Sequence, residues 1–154
     1  MTDFWLKIAF AVLLLIIGWK DCRTRRIENK WVLVMACIGV AAAFLKQEPG
    51  YLSRLTGVFA VSVPMLFISM LFPGAFGGGD IKLMAAAGLF LGSELIVYSF
   101  MAAIVLCGTT CLIMLLLKRM KRRTRFAFGP YLCTGMLICM TAGERMLEFS
   151  LIFS

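Results

Sequence analysis

From Leu95 to Leu117 no residue carries a charge, and the same holds from Leu55 to Phe72 and from Phe126 to Gly143. Runs of this kind leave the chain few ways to fold. About 20 mostly apolar residues are what an α-helix needs to cross the hydrocarbon of a bilayer. A soluble domain of 154 residues would have to hide several such runs at once. Soluble domains are roughly 45–50% apolar with glycine included. Here 62% of residues are hydrophobic before the 14 glycines are added. Disordered chains are poor in such residues, so disorder is excluded as well. The chain reads as an integral membrane protein.

Six apolar segments emerge: Phe4–Trp19, Trp31–Leu45, Leu55–Phe72, Leu83–Gly92, Leu95–Leu117 and Phe126–Gly143. The first contains Lys7, which can snorkel to an interface. It reads as a span and not as a cleavable signal peptide, because no small-residue cleavage site precedes Lys20. The fourth is short and is expected to extend backward through Lys82 towards Asp80. The expected fold is all-α, a polytopic membrane protein with about six transmembrane helices in one domain spanning residues 1–154.

Charge sets the orientation, since Lys and Arg concentrate on the cytoplasmic side. Most of the 16 Lys and Arg residues lie in the first connection (Lys20, Arg23, Arg25, Arg26, Lys30) and the fifth (Lys118, Arg119, Lys121, Arg122, Arg123, Arg125). Six spans put both connections, and Lys82, on one side. Both termini then face outward, and Asp21 and Asp80 share the cytoplasmic face. The net charge of +8 sits in short loops between apolar spans, where it sets topology and meets anionic phospholipid headgroups. A nucleic-acid partner is not expected.

There is no histidine. Ser-His-Asp and Cys-His catalysis and His-ligated metals are therefore excluded. The six cysteines form no C-x-x-C pair and lie mostly in apolar stretches, as packing residues do. No cofactor or metal is implied. Aspartate is scarce: Asp3, Asp21 and Asp80 only. Asp21 closes the first segment and is followed by Cys22-Arg23-Thr24-Arg25-Arg26-Ile27-Glu28-Asn29. Asp80 follows Gly77-Gly78-Gly79, whose glycines permit positive φ and close approach of other chains. Acids at membrane depth are functional candidates by default. Two close carboxylates share a proton, and such a pair can activate water and protonate a carbonyl without a metal. The competing reading of the pair is an ion or proton site in a small transporter or channel subunit.

The residues around both acids resemble the type IV prepilin peptidases, a family of GxGD-type intramembrane aspartic proteases. The family's first signature is an Asp, an Arg after three intervening residues, then Ile-Pro-Asn. Asp21, Arg25, Ile27 and Asn29 match it, with Glu28 in place of Pro. The second is G-x-G-D-x-K-L followed by small residues and Gly, matched by Gly77, Gly79, Asp80, Lys82, Leu83, Ala85 and Gly88. Phe128-Gly129-Pro130-Tyr131 is similar to a late F-G-P segment of the family.

The resemblance implies a hydrolase, an aspartic endopeptidase with Asp21 and Asp80 as the catalytic pair. Gly77, Gly79, Lys82, Arg25 and Asn29 would support it. Its substrate would be a prepilin or pseudopilin with a basic leader and a hydrophobic helix, cut at the cytoplasmic face of the bacterial inner membrane. That places the protein in type IV pilus biogenesis or protein secretion. Larger family members also N-methylate the new terminus through an N-terminal region with paired cysteines. The short length here resembles members serving Flp/Tad-type pili, and methylation is not expected. Glu28 is expected to favour the first turn of the second helix by its charge, and Asn29 to serve as that helix's N-cap.

Overall fold

The computed structural model describes residues 2–24, 27–45, 49–117 and 127–152, without the side chains of residues 2–3 and 144–152. Five helices follow one another: α1 (Thr2–Thr24), α2 (Asn29–Leu45), α3 (Tyr51–Leu71), α4 (Gly78–Leu116) and α5 (Gly129–Ile152). No strand occurs among the described residues. Arg25, Arg26 and the basic stretch 118–125 lie outside the described residues.

The fourth and fifth apolar segments, expected as separate helices, share the 39-residue α4. A straight helix of that length would reach about 58 Å, nearly twice a bilayer's hydrocarbon thickness. It is not straight. Gly92 has φ 78° and ψ 176°, a conformation in which an L side chain is strained, and the chain turns back there. The reversal brings the Phe76 and Phe100 ring centroids to 6.3 Å, whereas a straight rod would hold them roughly 36 Å apart. Among the described residues the bundle therefore has six helical segments.

A break in a helix frees backbone carbonyls and amides, and these must find partners. Arg54, near the start of α3 and only 2% exposed, meets them. Its guanidinium donates to the carbonyls of Leu89 at 2.8 Å and Phe90 at 3.5 Å, and to Pro49 at 2.8 Å. A cation at a helix C-terminus also complements the helix dipole. On the other side of the kink, the Ser93 backbone N–H donates to Ser53 Oγ at 3.2 Å.

α4 is the hub, packing on α2, α3 and α5, while α1 packs on α2 and α5. The core is apolar and methionine-rich, including Met35, Met65, Met84 and Met136. Phe10 of α1 stacks on Phe90 of α4 with centroids 4.2 Å apart. Outward faces are also apolar: Phe4, Leu33, Phe67, Met70, Val105 and Leu115 are all well exposed. Soluble monomers rarely leave that much contiguous apolar surface open. By length and composition α3 and α4 are able to cross a membrane.

Candidate active site

The connectivity puts three chain segments at one end of the bundle: the end of α1, the start of α4 and the start of α5. Asp21 stands in the last turn of α1 and is 5% exposed. The N-terminus of α5 abuts it, and the Gly129 backbone N–H donates to its carboxylate. A Cβ at Gly129 would lie only 2.5 Å from Asp21 Oδ2, so the contact needs glycine there. Pro130 follows as the second residue of α5, where a missing N–H costs nothing.

Asp80 is the third residue of α4 and is 8% exposed. Its Oδ2 accepts from the backbone N–H of Gly77, the N-cap, at 3.3 Å. This is the reciprocal arm of a capping box, in which a carboxylate at the third position reaches back over the helix start. The charge on Asp21 acts on Asp80 through space, so the two buried carboxylates form an electrostatic pair. Cys133, one turn into α5 and buried, is within reach of both fields.

The glycine run works differently from expectation. Gly77 has φ −74° and ψ 141°, and Gly78 and Gly79 already belong to the first turn of α4. No positive φ is used there; among the described glycines it occurs at Gly74 and Gly92. What this stretch needs is room: a Cβ on Gly79 would come within 2.9 Å of Ile27 Cβ. Ile27 thus seats the segment after α1 directly on the start of α4. Alongside, the Lys82 ammonium donates to Asn29 Oδ1 at 3.2 Å. Asn29 is therefore the first residue of α2 and a partner of Lys82, not the N-cap expected of it.

Glu28 also departs from expectation. Its carboxylate is held by Lys20 of α1 and by Lys30 of α2, the latter at 2.7 Å. Both ammonium groups lie over the Trp31 ring, at 5.5 and 5.8 Å from its centroid. Hydrogen bonds from Lys20 and then Lys30 hold the Glu28 carboxyl below the usual glutamate value. The residue replacing proline ties the end of α1 to the start of α2 instead of charging the first turn of α2.

Of the residues singled out in the sequence, Asp21, Asp80, Gly77, Gly79, Lys82 and Asn29 come together at this end. Arg25 lies outside the described residues. Beside Asp80 opens a cavity of about 990 Å³, bounded by Pro73 to Gly77, by Ile104, Cys107 and Gly108 of α4, and by Phe128. Phe76, Phe100 and Phe128 form a ring cluster at its edge, with Phe76 and Phe128 centroids 5.4 Å apart. Among the described residues no group of three His, Cys, Asp or Glu side chains could hold a metal. Sequence reasoning missed Cys133 and the contact of Gly129 with Asp21; the Phe-Gly-Pro segment was the one signal for the latter.

A helical bundle with two buried carboxylates at one end, one of them lining a largely apolar cavity, is the class of protein that this fold and site define. Within that class, the model of the type IV leader peptidase family matches residues 8–112, and the chain belongs to that family. It is also similar to the prepilin leader peptidase/N-methyltransferase of Bacillus subtilis, 24% identical over 142 residues. That alignment covers 92% of this chain and 57% of the relative, so the chain spans just over half the relative's length. No solved structure matches.

Proposed function

We propose that the protein is a membrane endopeptidase of aspartic type that removes the basic leader of a prepilin or pseudopilin. One observation carries this reading: Asp21 and Asp80, from helix ends far apart in the chain, are buried at the same end of the bundle, and Asp80 lines a cavity large enough for a chain segment. Family membership supports the peptidase activity, and the relative's name supports a prepilin as substrate.

The chemistry follows from a pair that shares one proton. The ionised carboxylate takes a proton from water as the water oxygen bonds to the scissile carbonyl carbon. The protonated carboxyl gives its proton to the carbonyl oxygen, producing a neutral tetrahedral diol. The carboxyl that took the water proton gives it to the amide nitrogen, the C–N bond breaks and the neutral amine leaves, while one diol hydroxyl proton returns to the other carboxylate and restores the pair with its single proton. No covalent enzyme intermediate is needed.

In this reading six helical segments cross the bacterial inner membrane, with the dyad at the cytoplasmic face among basic loops that meet anionic phospholipid. The substrate presents a basic leader, then an apolar helix. Cleavage without N-methylation, in service of a Flp/Tad-type pilus, completes the reading.

The test is coexpression with a candidate prepilin. Asp21→Ala and Asp80→Ala should each reduce processing by about 10²–10⁴-fold, the range for loss of general acid–base catalysis. Full processing by either variant removes the dyad. If, instead, neither variant alters processing and both abolish an ion flux, the transporter reading takes its place. The mass of the mature N-terminus reads methylation directly.

A further inference from the structure

The cavity beside Asp80 is not a slot for one side chain. At about 990 Å³ it lies at the top of the range for ligand pockets, roughly 300–1,000 Å³. Its polar group is Asp80, at one end. Its other walls are apolar or small: Phe76 and Phe128 near the carboxylate, then Ile104, Cys107 and Gly108 along the second half of α4. Ile104 and Gly108 are one helical turn apart and therefore share a face. A Cβ built on Gly108 meets no atom within 4 Å, so this stretch of helix surface is unfilled. The same face runs on through Met101 and Leu112, both more than half exposed. The wall is thus continuous with the apolar outside of the bundle and leads inward to the carboxylate.

We propose that the face of α4 around Ile104 and Gly108 docks the apolar helix of the substrate, which enters sideways from lipid and delivers the bond before it to Asp80. The inference rests on the peptidase reading above and specifies how that site takes its substrate. The gradient of the walls sets the substrate's polarity. Its apolar stretch lies along α4, and its polar, scissile junction meets the acid. Gly108 is then a specificity-determining position: the missing side chain is the space the substrate helix occupies.

The test uses the full chain in lipid vesicles and a synthetic peptide with a basic leader ending in Gly, followed by an apolar helix of about 20 residues. Gly108→Leu projects into unfilled space and should fold normally. It should raise KM and lower kcat/KM at least about tenfold, the scale of a few methylenes' worth of contact, with kcat little changed. In parallel, a diazirine-leucine in the peptide's apolar helix should label residues 101–112 of Asp80→Asn protein, while the same probe in the leader should not. Wild-type kinetics in Gly108→Leu overturns the docking proposal. Label confined to lipid, to another helix or to a second copy of the chain overturns it as well. Cleavage that survives Asp21→Ala and Asp80→Ala overturns the dyad instead, and leaves the labelling result to decide docking on its own.

Discussion

The two ends of the bundle bury charge in opposite ways. At one end Arg54 is enclosed and its guanidinium is spent on backbone carbonyls of Pro49, Leu89 and Phe90. At the other end Asp21 and Asp80 are almost as enclosed, the Asp21 charge acts on Asp80, and Asp80 lines a cavity. Each carboxylate has a backbone N–H from a neighbouring glycine, Gly129 or Gly77. One buried cation repairs a broken helix and stabilises it. Two buried carboxylates at one end disfavour each other's ionisation, so that a proton is shared between them, an arrangement that costs stability. On the proposed peptidase reading, the contrast separates a structural from a chemical use of buried charge within one small fold.

Substitutions can break that contrast. The largest effect is expected at Gly129→Ala. The new methyl would collide with the Asp21 carboxylate. A displacement on the order of 1 Å at a reacting group costs about 10²-fold in rate. If the proposed peptidase reading holds, prepilin cleavage should fall by about that factor while the thermal midpoint in detergent stays close to wild type. An unchanged rate would mean that Asp21 need not sit where α5 holds it.

Arg54→Met should show the reverse pattern. It keeps the packing volume but strands the carbonyls at the α4 break, at a cost of about 1–3 kcal/mol. The thermal midpoint should drop by several degrees, and the protein that remains folded should cleave at near the normal rate. A large loss of kcat with an unchanged midpoint would erase the distinction between the two ends.

The smallest effect is expected at Glu28→Gln. The ion pairs with Lys20 and Lys30 are at the surface, where such pairs contribute little. Because the folded-state value of Glu28 lies below its ordinary 4.5, what the pairs contribute is present above that pH and is lost as pH falls through the lower folded value. Melting curves of wild type and Glu28→Gln should coincide at neutral pH or differ only slightly, and converge fully in acid. A marked difference at neutral pH would make the Lys20–Glu28–Lys30 tie a true structural joint.

The aspartate end was largely readable from the chain. Two acids in a sequence with three aspartates and no histidine stand out by scarcity alone, and the glycines beside Asp80 drew attention to a close approach. The partner in that approach, Ile27, was not readable, because packing across 52 positions leaves no local sign. Asn29 was misread for the same reason: it looks like a cap until Lys82 takes its side chain. The Arg54 end was nearly invisible. Arginine near the start of an apolar helix reads as an interface anchor, and the carbonyls it serves belong to every residue type alike. The boundary at Gly92 was legible, because the fourth apolar segment ended there and the fifth began at Leu95; that a single residue of positive φ joins the two was not.

The kink at Gly92 also bears on the order in which the molecule can be completed. Chains are made from the N-terminus, and their parts can organise as they appear. Ser53 and Arg54 are synthesised before Leu89, Phe90 and Ser93, so the groups that mend the break are in place before the break exists. The aspartate end has the opposite schedule. Asp21 is made before the α4 and α5 segments and waits for Gly129, the first residue of α5, to close over it. A growing chain therefore holds the groups that mend its break before the break is made, whereas Asp21 gains its Gly129 hydrogen bond only when α5 arrives.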